Sequence, residues 1–410
     1  MQKAIIIICD GMADRPLREL DNKTPLEVAK TPNMDKIAVD GLSGLMHTVD
    51  VGVRPGSDTS HVALFGYDPY KYYTGRGPFE CAGIGMEVRP GDVAIRGNAG
   101  TIDENNIVVD RRAGRIMSTE EIVDYLGDIE IDGVKFFLKP SLAHRVGIVL
   151  RGKGLSGNVT DQDPHLTQKK ILEVKPTDDT KEAKFTADVL NKFTKVVKEK
   201  LIDAPFNIER SKNNLLPANT ILYRGAGSVP KDLISFKDKF NVNAAFVAGG
   251  PMYQGIAKVF GLDVFEFEKT EGITGLPDSK INFKVGKAME LIKNHDIVFI
   301  HFKGADTLSE DCDYEGEIKY IEKIDKAISP LAKENDFLVV LTCDHTTCSE
   351  LKIHTADPVP LTIKGHGVRT DDLNAFSERE CAKGRMGSIK GEQLIPIVID
   401  LMGLSKMYGA

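Results

Sequence analysis

The sequence lacks any apolar run long enough to cross a membrane. The run in MQKAIIIICDG gives way to Asp10 after a few residues, which is too short for a signal-peptide core or a membrane span. The six cysteines include no C-x-x-C pair, which excludes a zinc ribbon and a thioredoxin-type motif. Scattered cysteines without a signal peptide are typical of a reducing compartment, so we expect a cytoplasmic protein.

An excess of positive charge and an internal repeat are also missing. The 410 residues carry 53 basic and 60 acidic side chains, for a formal net charge of -7. This balance argues against a nucleic-acid surface as the main partner. Hydrophobic residues make up 41% and charged residues 28%, which is ordinary for a globular protein of two or three domains. We therefore expect neither a nucleic-acid nor a membrane partner.

Short buried-strand patterns occur at both ends of the chain. They are AIIIICD at the start, then AAFVAGG (244–250), DIVFIHF (296–302), FLVVLTCD (337–344) and VPLTIKG (359–365). Continuous apolar runs of this length are typical of a buried parallel sheet. Amphipathic helical patterns separate some of them, including GEIKYIEKIDKAISPLAKEND. The alternation predicts an α/β fold with a mostly parallel sheet flanked by helices.

The middle of the chain has a different pattern. Its strand candidates are shorter and more alternating, and KEAKFTADVLNKFTKVVKEKL predicts one long helix among them. We therefore predict an α+β domain, residues 78–241, inserted into an α/β domain that is formed by residues 1–77 and 242–410.

Acidic and histidine side chains follow three of the predicted strands. They are Asp10, Asp306, Glu310, Asp344, His345 and His354. In open α/β sheets, ligands bind at the carboxyl ends of strands, and carboxylates with imidazoles bind Mn²⁺, Zn²⁺, Co²⁺ or Mg²⁺. Clustered carboxylates repel one another unless cations hold them. The set therefore predicts a metal site, although each residue alone is equally compatible with a turn, a helix cap or a core histidine.

The stretch RPGSDTSHVALFGYDP places Ser57 directly after a Pro-Gly pair. Three interpretations are open: Ser57 is a helix cap, a nucleophile, or a hydroxyl held by a metal ion. Pro-Gly-Ser-Asp is a good helix start, and a helix N-terminus also favours an anionic phosphate. The local pattern alone does not choose among the three.

Five motifs in this order resemble the archaeal-type 2,3-bisphosphoglycerate-independent phosphoglycerate mutases of the alkaline phosphatase superfamily. They are CDGMADRP, PGSDTSHVALFGYDP, KGAD, TCDHTTCSELKIHTADPVPL and GRMGSIKGEQLIPIVIDLMG. The resemblance runs over nearly the whole chain. It implies an alkaline-phosphatase-like fold, two divalent metal ions, and a serine that becomes phosphorylated. The implied reaction interconverts 2-phosphoglycerate and 3-phosphoglycerate in glycolysis and gluconeogenesis, without bisphosphoglycerate.

The resemblance also assigns residues to the implied site. It implies that Ser57 is the nucleophile and that one metal ion is bound by Asp10, Ser57, Asp344 and His345. The other ion would be bound by Asp306, His354 and the residue four positions after Asp306. The family usually has histidine at that position, whereas this chain has Glu310, with Asp311 and Asp313 as rivals. Because a carboxylate is a harder ligand, Mn²⁺ is the first expectation, with Mg²⁺, Co²⁺ and Zn²⁺ as alternatives.

A dense basic segment, VVDRRAGR, lies in the predicted insertion. Arginine suits an anionic substrate because its planar guanidinium forks onto carboxylate and phosphate oxygens. The predicted substrate-binding residues are Arg96, Asp110, Arg111, Arg115, His144, Arg145, Arg151 and Arg224. A solvated basic face is the alternative for any one of them.

Two other functions remain open at this point. One is a phosphatase, or a mutase of another phosphorylated metabolite, on the same site. The other is a non-catalytic relative with a broken metal site, which only Glu310 supports. The expected partner is a small phosphoglycerate, and the sequence leaves the oligomeric state open, including a homo-oligomer.

Overall fold

The first strand shows how the sequence builds the sheet. In the computed structural model, which describes residues 2–265, 276–407 and 409, Ala4–Cys9 forms a strand whose side chains are all fully buried. A run of isoleucines is stable there because both faces of a parallel strand are covered.

The strands, in chain order, are β1 Ala4–Cys9, β2 Gly41–His47, β3 Val93–Ile102, β4 Val108–Asp110, β5 Ile129–Ile131, β6 Val134–Pro140, β7 Arg145–Arg151, β8 Thr220–Ser228, β9 Ala244–Val247, β10 Asp263–Val264, β11 Ile297–Phe302, β12 Leu338–Thr342, β13 Thr346–Cys348, β14 Ile353–Thr355, β15 Val359–Lys364 and β16 Gly387–Lys390. The α-helices are α1 Pro25–Val28, α2 Pro32–Val39, α3 Ser57–Leu64, α4 Pro69–Tyr72, α5 Gly77–Gly83, α6 Glu120–Leu126, α7 Lys181–Ile202, α8 Pro205–Lys212, α9 Phe236–Phe240, α10 Pro251–Val259, α11 Ile281–Leu291, α12 Gly304–Glu310, α13 Tyr314–Ala327, α14 Ser329–Ala332, α15 Glu378–Cys381 and α16 Leu394–Leu401.

The chain divides into two units, residues 1–71 with 234–410, and residues 72–233. The described strands of the first unit form an eight-stranded sheet in the order β10-β9-β11-β1-β12-β15-β2-β16. Five of its strands, from β10 to β12, run parallel, and β15 is antiparallel to both of its neighbours. The predicted α/β class with a mostly parallel sheet is confirmed. Because Ile8 pairs with both His301 and Thr342, the carboxyl ends of β1, β11 and β12 lie side by side.

The second unit is an antiparallel sheet covered by helices. Its strands follow the order β4-β3-β7-β6-β5, and β8 also pairs with β3. The long helix α7 packs on this sheet, with the ring of Phe193 stacked on Phe136 at 4.3 Å. The unit spans residues 72–233, where the sequence pattern placed the insertion at 78–241.

One predicted helix is divided in the structure. The pattern GEIKYIEKIDKAISPLAKEND predicts a single helix, but α13 ends at Ala327 and the short α14 begins at Ser329. Pro330 explains the break, because its ring clashes with a helical turn before it and it cannot donate a backbone hydrogen bond. The prediction of a single helix over this segment is therefore wrong.

Membrane-crossing helices and disulfides are both missing from the described part of the chain. No helix within residues 2–265 or 276–407 combines the length and apolar character that crossing a bilayer needs. All six cysteines lie among the described residues, and none is paired in a disulfide.

Candidate active site

Ser57 is the first residue of α3, and Gly56 is the N-cap of that helix. The cap is closed by Thr59, whose Oγ1 accepts the Gly56 backbone N–H at 3.0 Å. Ser57 therefore follows the N-cap position, and its Oγ lies 3.1 Å from His345 Nε2. The interpretation of Ser57 as a helix cap is therefore wrong. Its roles as nucleophile and as metal-held hydroxyl stay predictions.

Two carboxylates from neighbouring strand ends converge on His345. Its Nε2 lies 3.3 Å from Asp10 Oδ1 and 3.4 Å from Asp344 Oδ2. Both of these oxygens are buried and accept no hydrogen bond from the described residues. The other Asp344 oxygen is occupied, because the Gly11 N–H donates to Oδ1 at 3.1 Å. Two bare oxygens and a ring nitrogen are the donor set of a divalent cation, so these residues fit a metal ion.

The ring orientation of His345 is set by Thr347. The Thr347 Oγ1 donates to Asp306 Oδ1 at 2.9 Å and lies 3.1 Å from His345 Nδ1. Because the hydroxyl proton is used on Asp306, the Thr347 oxygen accepts from the His345 Nδ1–H. This tautomer leaves the lone pair of Nε2 available to a metal ion.

A second group joins Asp306, His345 and His354. The His354 Nε2 lies 3.3 Å from Asp306 Oδ1, and the two imidazole rings stack at 3.6 Å. The His354 Nδ1–H donates to the Pro55 carbonyl at 3.0 Å, which leaves Nε2 as the ligand atom. In each of the two groups, the possible ligand atoms lie within 4.8 Å of one another. His345 thus belongs to both groups, whereas the resemblance assigned it to one.

Glu310 lies at the edge of the second group. It follows Asp306 by one turn of α12, and its Oε1 is 3.8 Å from His354 Nε2. Its side chain is 52% exposed. Burial and then the charge of Asp306 raise the pKa of Glu310. Among its rivals, Asp313 is occupied as the N-cap of α13, where Oδ1 accepts the Gly316 N–H at 2.9 Å. The metal role of Glu310 stays a prediction.

Besides Thr347, three residues of this centre were missed by the sequence analysis. Lys303 donates to Asp306 Oδ2 at 2.6 Å, and its Nζ lies 3.7 Å from Asp10 Oδ2. The Tyr253 hydroxyl donates to Asp10 Oδ2 at 2.6 Å, and His301 Nε2 lies 2.9 Å from the same oxygen. The position of Lys303 directly after the buried strand β11 could have indicated its place at the site. Nothing in the sequence around Tyr253, which lies in α10, indicated that it belongs there.

Three buried carboxylates, those of Asp10, Asp306 and Asp344, lie in the two groups of this centre. Burial and the charge of Asp10 raise the pKa of Asp344 to about 7. Burial also opposes ionisation of Asp10, but the charge of Lys303 and the hydrogen bond from His301 hold the pKa of Asp10 well below its usual range. Burial opposes the charge of Lys303 as well, yet Asp10 raises the pKa of Lys303 above its usual value. A divalent cation bound among these carboxylates would compensate their negative charge.

The second unit contains a cationic cleft of about 360 Å³. Its lining residues are Arg96, Asn98, Asp110, Arg111, Arg112, His144, Arg145, Thr167 and Arg224. Three buried polar atoms there, Arg96 Nε, Arg145 Nε and Asn98 Oδ1, lack a partner among the described residues. Burial and the charge of Arg145 lower the pKa of His144 to about 4. A cleft with unsatisfied donors and this positive field can bind a small anion.

The cleft brings together six of the eight predicted substrate residues. They are Arg96, Asp110, Arg111, His144, Arg145 and Arg224. The other two are described but lie outside its lining. Arg151 is held by Asp92, with Nη2 to Oδ2 at 2.7 Å, and Arg115 is exposed with a φ of 62°. Arg112, which belongs to the same basic segment VVDRRAGR, also lines the cleft, as do Asn98 and Thr167, which were not predicted.

Asp110 shapes the basic segment. Its Oδ1 accepts the N–H of Arg112 at 2.7 Å and the N–H of Gly114 at 3.0 Å. A carboxylate that bonds the backbone two residues on closes a turn of the Asx type. Asp110 therefore folds the DRRAGR segment, in addition to lining the cleft.

A mostly parallel α/β sheet that brings a serine hydroxyl to carboxylates and histidines at its strand ends defines a class of metal-dependent phosphoryl-transfer proteins. The family model for 2,3-bisphosphoglycerate-independent phosphoglycerate mutase matches residues 38–207. The chain is 47% identical over 413 residues to 2,3-bisphosphoglycerate-independent phosphoglycerate mutase 1 of Methanocaldococcus jannaschii, covering 100% of this chain and 99% of that one. The chain therefore belongs to this family, which confirms the family predicted from the motifs.

Solved structures agree with this placement. A protein from Pyrococcus horikoshii is similar with a TM-score of 0.84 and 35% identity, covering 100% of this chain and 99% of that one. The cofactor-independent phosphoglycerate mutase from Thermoplasma acidophilum is similar with a TM-score of 0.74 and 34% identity, covering 98% and 99%.

Proposed function

We propose that the chain interconverts 2-phosphoglycerate and 3-phosphoglycerate, as a cytoplasmic enzyme of glycolysis and gluconeogenesis. The observation that carries the proposal is the Ser57 hydroxyl, 3.1 Å from His345 Nε2, beside the bare oxygens of Asp10 and Asp344. The family of the chain and the name of its Methanocaldococcus relative support it. The absence of disulfides among its six cysteines supports a reducing compartment.

The proposed reaction passes through a phosphoserine. Ser57 loses its hydroxyl proton as Oγ forms a bond to the substrate phosphorus and the bond from phosphorus to the glycerate oxygen breaks, and the released glycerate oxygen takes a proton. The glycerate then reorients, and its other hydroxyl loses a proton as it takes the phosphoryl group back, while the released Ser57 Oγ takes a proton and becomes a hydroxyl again. Because the phosphate returns to the same glycerate, bisphosphoglycerate is not needed. The Lys303 ammonium adds a fixed positive charge beside Asp306.

Two divalent ions fit the donor atoms of this centre. We assign one to Asp10, Ser57, Asp344 and His345, and the other to Asp306, His354 and Glu310, with His345 close to both. When bound, such ions favour the serine alkoxide and neutralise phosphate charge. Mn²⁺ is the proposed metal because the set is rich in carboxylate oxygen, and Mg²⁺, Co²⁺ and Zn²⁺ are the alternatives.

The cationic cleft is the proposed site for the anionic substrate. Arg96, Arg111, Arg145 and Arg224 supply guanidinium groups that can fork onto carboxylate or phosphate oxygens. The Asn98 amide, whose Oδ1 is buried without a partner among the described residues, can accept a hydrogen bond from a glycerate hydroxyl.

Product analysis tests the proposal. Metal-stripped protein is incubated with 3-phosphoglycerate, without metal and with added Mn²⁺, Mg²⁺, Co²⁺ or Zn²⁺ in separate samples, and the products are followed by ³¹P NMR. We expect 2-phosphoglycerate to form only after metal is restored. Free phosphate as the main product would instead show that the same site works as a phosphatase, and no turnover with any of the four metals would overturn the enzyme assignment.

A further inference from the structure

Two arginines of the cleft are held by one loop, DQDPH at residues 161–165. The carboxylate of Asp163 is fully buried and accepts two hydrogen bonds from Arg111, from Nε at 3.2 Å and from Nη2 at 2.5 Å. Such a forked pair fixes the plane of the guanidinium. Asp163 uses two of the five N–H donors of Arg111, which leaves others for a ligand.

The same loop holds Arg224 through His165. The Arg224 Nη1–H donates to His165 Nδ1 at 2.9 Å. Because a guanidinium has only donors, Nδ1 must carry the lone pair and Nε2 must carry the proton. The Nε2–H donates to Asp161 Oδ2 at 3.0 Å. Asp161 therefore fixes the tautomer of His165, which in turn orients Arg224.

The loop is tied to the strand that carries Arg224. The N–H groups of Gln162 and Asp163 both donate to the Tyr223 carbonyl at 3.1 Å, and the Gly225 N–H donates to Asp161 Oδ1 at 2.8 Å. These bonds lie on both sides of Arg224 in β8. These hydrogen bonds therefore fix the position of the loop relative to Arg224.

We propose that residues 161–165 form a positioning loop that presets Arg111 and Arg224 for an anionic phosphorylated hydroxy acid. The inference rests on the proposed function and adds residues that have no other part in it. Ordering a long, flexible side chain on binding costs about 0.5–1.5 kcal/mol of conformational entropy, which corresponds to as much as about tenfold in affinity. A side chain that is already ordered in the free protein does not incur this cost when the ligand binds. The loop should therefore act on substrate affinity and leave the metal centre unchanged.

Binding of 3-phosphoglycerate to Ser57→Ala protein, measured by calorimetry, tests the loop without turnover. In that background, Asp163→Asn and His165→Leu should each weaken binding about tenfold. His165→Gln should keep most of the affinity, because the amide can both accept from Arg224 and donate to Asp161. In otherwise native protein, the same changes should raise KM about tenfold with kcat within about threefold.

A matched control separates positioning from stability. Asp92 is buried and holds Arg151 outside the cleft lining, so Asp92→Asn disrupts a comparable pair in the same unit. It should lower the melting temperature without changing affinity. Unchanged affinity in both Asp163→Asn and His165→Leu would overturn the inference, as would an equal loss in Asp92→Asn. A parent protein that binds 3-phosphoglycerate but does not interconvert it would contradict only the proposed function.

Discussion

Replacing Tyr253 by phenylalanine isolates one hydrogen bond at the candidate metal centre. The buried hydroxyl donates to Asp10 Oδ2 at 2.6 Å, and His301 Nε2 lies 2.9 Å from the same oxygen. Burial and the charge of Asp10 raise the pKa of Tyr253 well above its usual value, so the phenol keeps its proton and donates. Both contacts hold the carboxylate so that its bare Oδ1 faces His345 Nε2 at 3.3 Å.

The loss of this bond should weaken metal binding about tenfold. A hydrogen bond to a charged group contributes about 1.5–3 kcal/mol, but this one is present with and without the metal ion, so only its orienting effect changes affinity. Partners of ligand side chains typically contribute 10- to 100-fold to metal affinity. We take the lower end, about 1.4 kcal/mol, because His301 remains.

Titration of metal-free protein with Mn²⁺, in competition with a chelator of known affinity, measures the effect. Tyr67→Phe is the matched control, because Tyr67 is equally buried in the same unit and donates to the Ile234 carbonyl at 2.9 Å. The control should bind Mn²⁺ as the parent does. Equal affinity in Tyr253→Phe and the parent would refute the reasoning, and so would equal weakening in the control.

Four further changes test the site and its charge. Ser57→Ala should reduce turnover on the order of 10⁴-fold or more while the melting temperature stays close to that of the parent, and substantial residual turnover would exclude the phosphoserine route. Arg111→Ala should lower kcat/KM by about 30-fold with full metal content, and unchanged kinetics would remove Arg111 from the substrate site. Elemental analysis should find one metal ion fewer in Glu310→Ala than in the parent. Glu310→His should keep two ions, with its metal preference shifted towards Zn²⁺ or Co²⁺. Two bound ions in Glu310→Ala would show that Glu310 is not a metal ligand. Burial raises the pKa of Glu378 to about 7, so its contribution to stability is present below about pH 4.5 and is lost as the pH rises through 7. Glu378→Gln should therefore gain stability relative to the parent as the pH rises from about 4.5 to 7, by about 3 kcal/mol in denaturant unfolding. A stability difference that stays constant with pH would contradict the shift.

The continuous apolar runs predicted the central strands well, because burial on both faces demands that pattern. The strand β2, GLSGLMH, was missed, since its two glycines and partial burial interrupt the apolar run. Gly44 is required there, because a Cβ would lie 2.4 Å from the Gly387 carbonyl. This constraint comes from Gly387, far along the chain, so the local sequence pattern around β2 cannot predict it.

The metal-ligand candidates could be predicted for a topological reason. Parallel strands end at one edge, so Asp10, Asp306 and Asp344 had to lie close together once the strands were recognised. The supporting residues do not follow from that rule. His301 lies inside a fully buried strand and resembles a core histidine in sequence. Tyr253 reaches Asp10 from 243 positions away.

Each of the two candidate sites concentrates side chains of one charge sign. In the first unit, the buried carboxylates of Asp10, Asp306 and Asp344 lie in the two candidate ligand groups, and one oxygen each of Asp10 and Asp344 remains bare among the described residues. In the second unit, arginines crowd closely enough that burial and like charges together lower the pKa of Arg96 to about 10, against the opposing charge of Glu80. Unsatisfied buried groups cost about 1–3 kcal/mol each, which lowers the stability of both units. A cation bound in the first unit and an anion bound in the second would each raise the stability of the folded state. The proposed metal ions are such cations, and the proposed phosphorylated substrate is such an anion.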